Sequence, residues 1–141
     1  MLRVVPDVNV LVSSLINRRG PAGRIRSAWR RGELSFVTSR IIIAKTDEVL
    51  HRPHIFNIFS VTEAEINRLL RALRRYATVT PHALNLQVVK DDPEDDSIII
   101  AAVEGKADCI ISGDRHLKTL GTYENISILS PSEFVTQYNI P

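Results

Sequence analysis

The 141-residue sequence has one cysteine, one tryptophan and one methionine, and only 6% of its residues are aromatic. Cys109 has no partner for an internal disulfide, and its setting in "ADCIIS" marks a small buried thiol rather than a redox centre. The four histidines (His51, His54, His82, His116) have no zinc-type spacing with cysteine or with one another, so no His/Cys metal cage is expected. Long apolar runs are missing too: none approaches the roughly 20 residues that span a bilayer. The opening "MLRVVPDVNVLVSS" has neither the flanks nor the length of a secretory signal. The expectation is a soluble, cytoplasmic protein with no membrane partner. No repeat, low-complexity tract or linker divides the chain, which reads as a single domain over residues 1–141.

What is present is an ordinary globular composition, 44% hydrophobic and 24% charged, arranged in alternating strand and helix patterns. Arg3 to Val5 reads as a β-branched strand running into a helix at Val10, Leu11, Ser14 and Leu15. A helix from Pro21 to Arg31 stops at Gly32, and a strand follows at Leu34 to Val37. Ser39 caps "RIIIAKTDEVL", which ends before Pro53. Thr62 and Glu65 form a capping-box pattern for a helix with the apolar stripe Ile66, Leu69, Leu70 and Leu73. "YATVTP" and "LQVVK" read as short extended pieces, "DSIIIAAVE" as a helix closed by Gly105, and "ADCIIS" and "NISIL" as strands. Ser130, Pro131 and Glu133 start a final helix. Because the strands are continuous apolar runs, the pattern predicts a parallel α/β sheet with helices on both faces. In such sheets ligands bind beyond the carboxyl ends of the strands.

Those ends carry acids. Asp7 closes the first strand, Asp114 follows "CIISG", and Asp96 ends a run of five carboxylates in the six positions from Asp91, just before a buried segment. Each acid has a structural explanation, since a carboxylate near a helix N-terminus accepts free N–H groups and is favoured by the helix dipole. Capping does not explain three acids at one sheet edge. Gathered carboxylates raise one another's pKa unless a cation offsets them. Mg²⁺ or Mn²⁺, which takes oxygen ligands and keeps waters, is the expected cation. The chemistry this suggests is in-line hydrolysis of a phosphodiester. A haloacid-dehalogenase-type phosphatase fits less well, wanting a second Asp where Asn9 stands. A phosphoacceptor receiver domain would want an acidic pair at the first strand, where "VVPDVNV" offers one acid.

The segments "VVPDVNVLVSSL", "DDPEDDSIIIAAVEGKADCIISGDRHL" and "ISILSPSEF", with "GPAGRI" and "EVLHRP" between, resemble the PIN-domain nucleases. The resemblance is in particular to the toxin branch of bacterial and archaeal type II toxin–antitoxin pairs. The resemblance spans nearly the whole chain. It implies a Rossmann-like PIN domain with a parallel sheet of four to five strands, RNA cleavage dependent on Mg²⁺ or Mn²⁺, frequent homodimers, and a small antitoxin partner. It also implies Asp7, Asp96 and Asp114 as metal-site acids, Asn9 as the polar residue after the first acid, and Ser112 as the hydroxyl before Gly-Asp.

One position departs from the family pattern. Lys45 in "KTDEVL" stands where the family places a glutamate, and with Ile42 and Val49 it falls on one helix face. Its ammonium either lies at the surface or reaches the carboxylates and partly replaces the metal's charge. Glu48, one turn on, is a substitute catalytic ligand or an exposed partner of Arg52. Asp92 and Asp95 are candidates for holding ion-bound water. Arg24, Arg26, Arg30, Arg68, Arg71 and Arg75 cluster on two helices and are candidate contacts to an RNA backbone, against the plainer reading of solvated helix faces. The sequence therefore predicts a metal-dependent ribonuclease of the toxin type. The alternative is a PIN domain impaired by Lys45 that binds RNA or a protein without cutting. "IFNIFSV" is either core or a contact surface for such a partner.

Overall fold

Unbroken apolar runs become central strands because both of their faces are covered. In the computed structural model, which describes residues 1–89 and 93–141, a mostly parallel sheet has the order β3-β2-β1-β4-β6-β5. Its strands are β1 (Arg3–Pro6), β2 (Ser35–Ser39), β3 (Thr78–Thr80), β4 (Cys109–Ile111), β5 (Thr122–Tyr123) and β6 (Ile126–Leu129). The first four and β6 run parallel, and β5 joins the edge antiparallel to β6. The helices are α1 (Val8–Ile16), α2 (Pro21–Arg30), α3 (Arg40–Leu50), α4 (Pro53–Phe56), α5 (Glu63–Tyr76), α6 (Pro93–Glu104), α7 (Arg115–Leu120) and α8 (Pro131–Gln137). None is long and apolar enough to cross a membrane, among the described residues.

Adjacent residues of a strand face opposite sides, and β2 shows both layers. Phe36 stacks on Trp29 of α2, with ring centroids 4.5 Å apart, whereas Val37 abuts Gly105 at the end of α6. Between the layers Val4, Val5, Phe36, Ile110 and Ile111 are buried with Leu11, Ile25, Leu73 and Ile99. Local sequence fixes the helix starts as expected. Ser39 Oγ accepts the Ile42 N–H, and both capping boxes, Thr62 with Glu65 and Ser130 with Glu133, close in both directions. The stripe Ile66, Leu69, Leu70 and Leu73 is buried.

Several elements differ from the reading of the sequence. "LQVVK" forms no strand over its described residues; the Val88 and Val89 N–H groups instead donate to Asp96. Helix α4 and helix α7 are additional. So is the β5–β6 hairpin, turned by Glu124 and Asn125 at φ 47° and 67°. Two successive positive φ angles give a type I′ turn, which matches the strand twist even without glycine. Gly105 does follow α6, but its role is close approach: an added Cβ would lie 2.3 Å from Val37 Cγ1, and the left-handed residue is Lys106 at φ 51°. "IFNIFSV" divides, with Val61 buried and Ile58 and Phe59 exposed.

Candidate active site at the carboxyl edge of the sheet

Strand β1 lies between β2 and β4, so the connections that leave β1 and β4 part at their carboxyl ends, where an open α/β sheet places its ligand crevice. Sheet pairing carries on past both strands: Asp7 N–H donates to Ile111 O at 3.0 Å, and Ser112 N–H donates to Leu129 O at 2.8 Å. The backbone thus sets Asp7 and Ser112 side by side. Ser112 is fully buried, and its hydroxyl donates to Asp7 Oδ2 while accepting the Asp114 N–H at 2.9 Å. One hydroxyl therefore links two of the three predicted acids.

All three acids carry structural work on one oxygen. Asp7 Oδ1 accepts Val10 N–H at 2.9 Å and caps α1. Asp114 Oδ1 accepts the N–H groups of His116 and Leu117, at 2.8 and 3.2 Å, and caps α7. Asp96, buried near the start of α6, receives Val88 N–H at 2.9 Å and Val89 N–H at 2.8 Å on Oδ1. Among the described residues, the hydrogen bonds to Asp96 and Asp114 fall on Oδ1. Capping and function thus coexist on the same side chains. Burial, with a further contribution from the Asp114 charge, raises the Asp7 carboxyl above its ordinary value, against the Ser112 and Val10 hydrogen bonds that favour the ionised form. The negative charge at Asp7 is under-compensated.

Lys45 and Glu48 line a cavity of about 310 Å³ with Val8, Ile42, Ser97 and Ile98, so the starts of α1 and α6 meet the middle of α3 next to Asp7 and Asp96. Ile42 and Val49 are buried, as their shared face with Lys45 requires. Lys45 Nζ lies 2.9 Å from Glu48 Oε2, and Arg52 Nη2 lies 3.1 Å from Glu48 Oε1. These two cations, Lys45 first, hold Glu48 below its ordinary value, and its side chain is 57% exposed. Asn9 is exposed in the first turn of α1, and Asp95 is buried beside Asp96. Asp92 lies outside the described residues, as do Asp91 and the side chain of Glu94. Among the described residues no three His, Cys, Asp or Glu side chains group closely enough to hold a metal ion. The donor set at Asp7 and Asp114 nevertheless has the character that Mg²⁺ or Mn²⁺ takes: hard oxygens, no sulfur or imidazole, and an excess of negative charge at a buried carboxylate.

The predicted arginines lie elsewhere. Arg26, Arg30 and Arg68 line a larger cavity with Met1 and Ser35, at the amino ends of β1 and β2, away from the acids. Arg24 Nη2 donates to Ile140 O at 2.7 Å and ties α2 to the C-terminal segment. Arg71 and Arg75 are exposed on α5. Sequence reasoning did not single out Trp29 or Tyr76 in this cavity, nor the Val88 and Val89 amides at Asp96. The first two offered no signal because an isolated aromatic residue does not reveal which helix faces it.

A family model described as PIN domain matches residues 3–116. The chain is also similar to an uncharacterized protein of Methanocaldococcus jannaschii, at 26% identity over 145 aligned residues that cover 97% of this chain and 92% of the relative.

Proposed function

The chain belongs to the PIN-domain family, a nuclease-type fold, and from that premise we propose that it is a ribonuclease dependent on Mg²⁺ or Mn²⁺. The centre of this reading is Asp7, Asp96 and Asp114. The observation that carries it is the Ser112 hydroxyl, which joins a buried Asp7, whose negative charge is under-compensated, to the Asp114 backbone at the switch point of the sheet. When bound, Mg²⁺ or Mn²⁺ would offset the carboxylate charge and make water a stronger nucleophile toward phosphorus. Asp7 and Asp114 would hold the ion, with Asp96 as a third donor. Ser112 fixes the Asp7 carboxylate in one orientation, the α1 and α7 amides fix the other edge of each acid, and Val88 and Val89 pin Asp96. Single-stranded or looped RNA is the substrate class, because an A-form duplex hides its major-groove edges. The toxin role, a small antitoxin partner and a homodimer belong to the same reading and rest on the resemblance.

Lys45 favours a second reading, an RNA-binding PIN domain with impaired cleavage. It brings a cation where the resemblance calls for an acid, in the cavity shared with the neighbours of Asp7 and Asp96. One experiment separates the two: Mn²⁺ binding by calorimetry together with cleavage of end-labelled single-stranded RNA, for wild type, Asp7→Asn and Lys45→Glu. Wild-type cleavage that Asp7→Asn abolishes supports the enzyme. An inert wild type with activity gained in Lys45→Glu supports the impaired reading. Cleavage that persists in Asp7→Asn sinks both.

A further inference from the structure

The amino ends of β1 and β2 open into a cavity of about 630 Å³ whose lining includes four arginines and one acid. The arginines are Arg18, just past α1, Arg26 and Arg30 on α2, and Arg68 on α5. The acid, Glu65, is already engaged by Arg18 and by the Thr62 N–H and hydroxyl of the capping box. The lining therefore has a formal excess of three positive charges, four from arginine less one from Glu65. Arg26 is the most constrained member. Its Nε is shut off from solvent and makes no hydrogen bond among the described residues. Burial, and then the charges of Arg30 and Arg18, lower the Arg26 guanidinium to about 10, with Arg68 adding to the effect and Glu65 opposing it. A buried donor without an acceptor, surrounded by like charges, is unfavourable unless an anion completes it.

The rest of the lining suggests which anion. The indole of Trp29, with Leu34 and Leu69, makes an apolar wall. Tyr76 is 68% exposed at the rim, with the Arg75 guanidinium 5.5 Å from its ring centroid. The cavity has the size of a small-molecule site. Arginine forks match phosphate oxygens two at a time, and exposed aromatic rings stack on bases.

We propose that this cavity binds a nucleotide, free or as one residue of an RNA strand, with its phosphate among Arg26, Arg30 and Arg68 and its base against Tyr76 and the Trp29 wall. A carboxylate peptide fits less well, because a phosphate supplies more negative charge in the space of one group and the aromatic rim provides a face for a base. The site lies at the end of the sheet opposite Asp7 and does not depend on whether the carboxylates cut RNA. If they do, it would hold a strand at a distance from the point of cleavage.

Trp29 is the single tryptophan of the chain, so its fluorescence reports binding directly. The probes are 5′-AMP, adenosine, inorganic phosphate, a short 2′-O-methylated oligonucleotide that resists cleavage, and an acidic peptide. The expected result is a saturable change with 5′-AMP that adenosine and phosphate each reproduce only at about tenfold or higher concentration, and that Arg26→Met weakens by about tenfold. Arg26→Lys should restore little, because it returns charge without the fork. Tyr76→Ala should weaken binding several-fold, and Asp7→Asn should leave it unchanged. Tighter binding of the oligonucleotide than of 5′-AMP identifies an RNA strand as the source; the reverse order identifies a free nucleotide. If Arg26→Met does not fold, the exposed Arg68→Met carries the same test. No saturable change with either nucleotide probe, equal binding by the Arg68 and Arg26 variants and wild type, or preference for the acidic peptide would overturn the proposal.

Discussion

The two ends of the sheet hold opposite charges and compensate them differently. At the carboxyl end, Asp7 and Asp114 cap α1 and α7, and Asp96 receives two loop amides, so each of these three acids meets backbone N–H donors. At the amino end, Arg26 packs among Arg18, Arg30 and Arg68 with one engaged acid nearby. Helix dipoles favour anions at helix starts, where Asp7 and Asp114 lie, and cations at helix ends, where Arg30 lies. The fold sorts charge by itself, but the backbone hydrogen bonds are given mainly to the acids. The acidic end thus shares its charge with the backbone yet leaves Asp7 under-compensated, and at the basic end Arg26 Nε has no acceptor among the described residues.

Perturbing either end should have local effects that test this contrast. The largest is expected at Gly23, where an added Cβ would lie 2.2 Å from the Arg18 carbonyl oxygen. Because backbone cannot move aside as a side-chain tip can, Gly23→Ala should cost about 3 kcal/mol in urea unfolding. It should disturb the Trp29 response more than Mn²⁺ binding; equal damage at both ends would show that the ends are mechanically coupled. Next is Ser112→Ala, which removes the donor to Asp7 Oδ2 and the acceptor for Asp114 N–H. It should cost about 2 kcal/mol, and cleavage should fall while the Trp29 response stays. An unchanged melting curve would mean that the link carries no energy.

Glu104 tests backbone compensation outside the site. Its carboxylate accepts N–H groups from His82, Ala83 and Leu84 at 2.8, 2.7 and 3.1 Å. Burial works to raise its pKa, but these bonds outweigh it and hold the carboxyl below the ordinary 4.5. The folded value is the depressed one, so the stabilisation is complete above pH 4.5 and is lost as pH falls through the folded value. Glu104→Ala should cost about 1 kcal/mol at neutral pH, and its stability should decline less than wild type on acidification; parallel pH curves would contradict this. The smallest effect is expected from Arg26→Met. Replacing a half-buried, under-compensated cation by a shorter apolar side chain should leave stability unchanged or raise it by about 0.5 kcal/mol. A clear loss in chemical unfolding would show that Arg26 has compensation of its own.

The helix starts were legible because their signals are local. Ser39, the Thr62/Glu65 and Ser130/Glu133 boxes and the stripe from Ile66 to Leu73 act over a few residues, and the apolar strands could only be buried. The positions of Asp7 and Asp114 were legible because strand ends are places that a sequence can mark. The hairpin at Glu124 and Asn125 was harder to see, since its turn lacks the usual glycine. Lys45 was rightly placed with Ile42 and Val49, but its pairing with Glu48 is a choice among rotamers that periodicity does not record.

By itself the sequence determined the α/β alternation, the caps and the edge at which the acids collect, because each follows from interactions between near neighbours along the chain. Tertiary structure alone decided that Ser112 joins Asp7 to Asp114 and that Arg18, Arg26, Arg30 and Arg68 surround one cavity. Ser112 and Asp7 lie 105 residues apart, and Arg68 comes from a helix remote from the segment that carries Arg18, Arg26 and Arg30, so only strand order and helix packing bring them together.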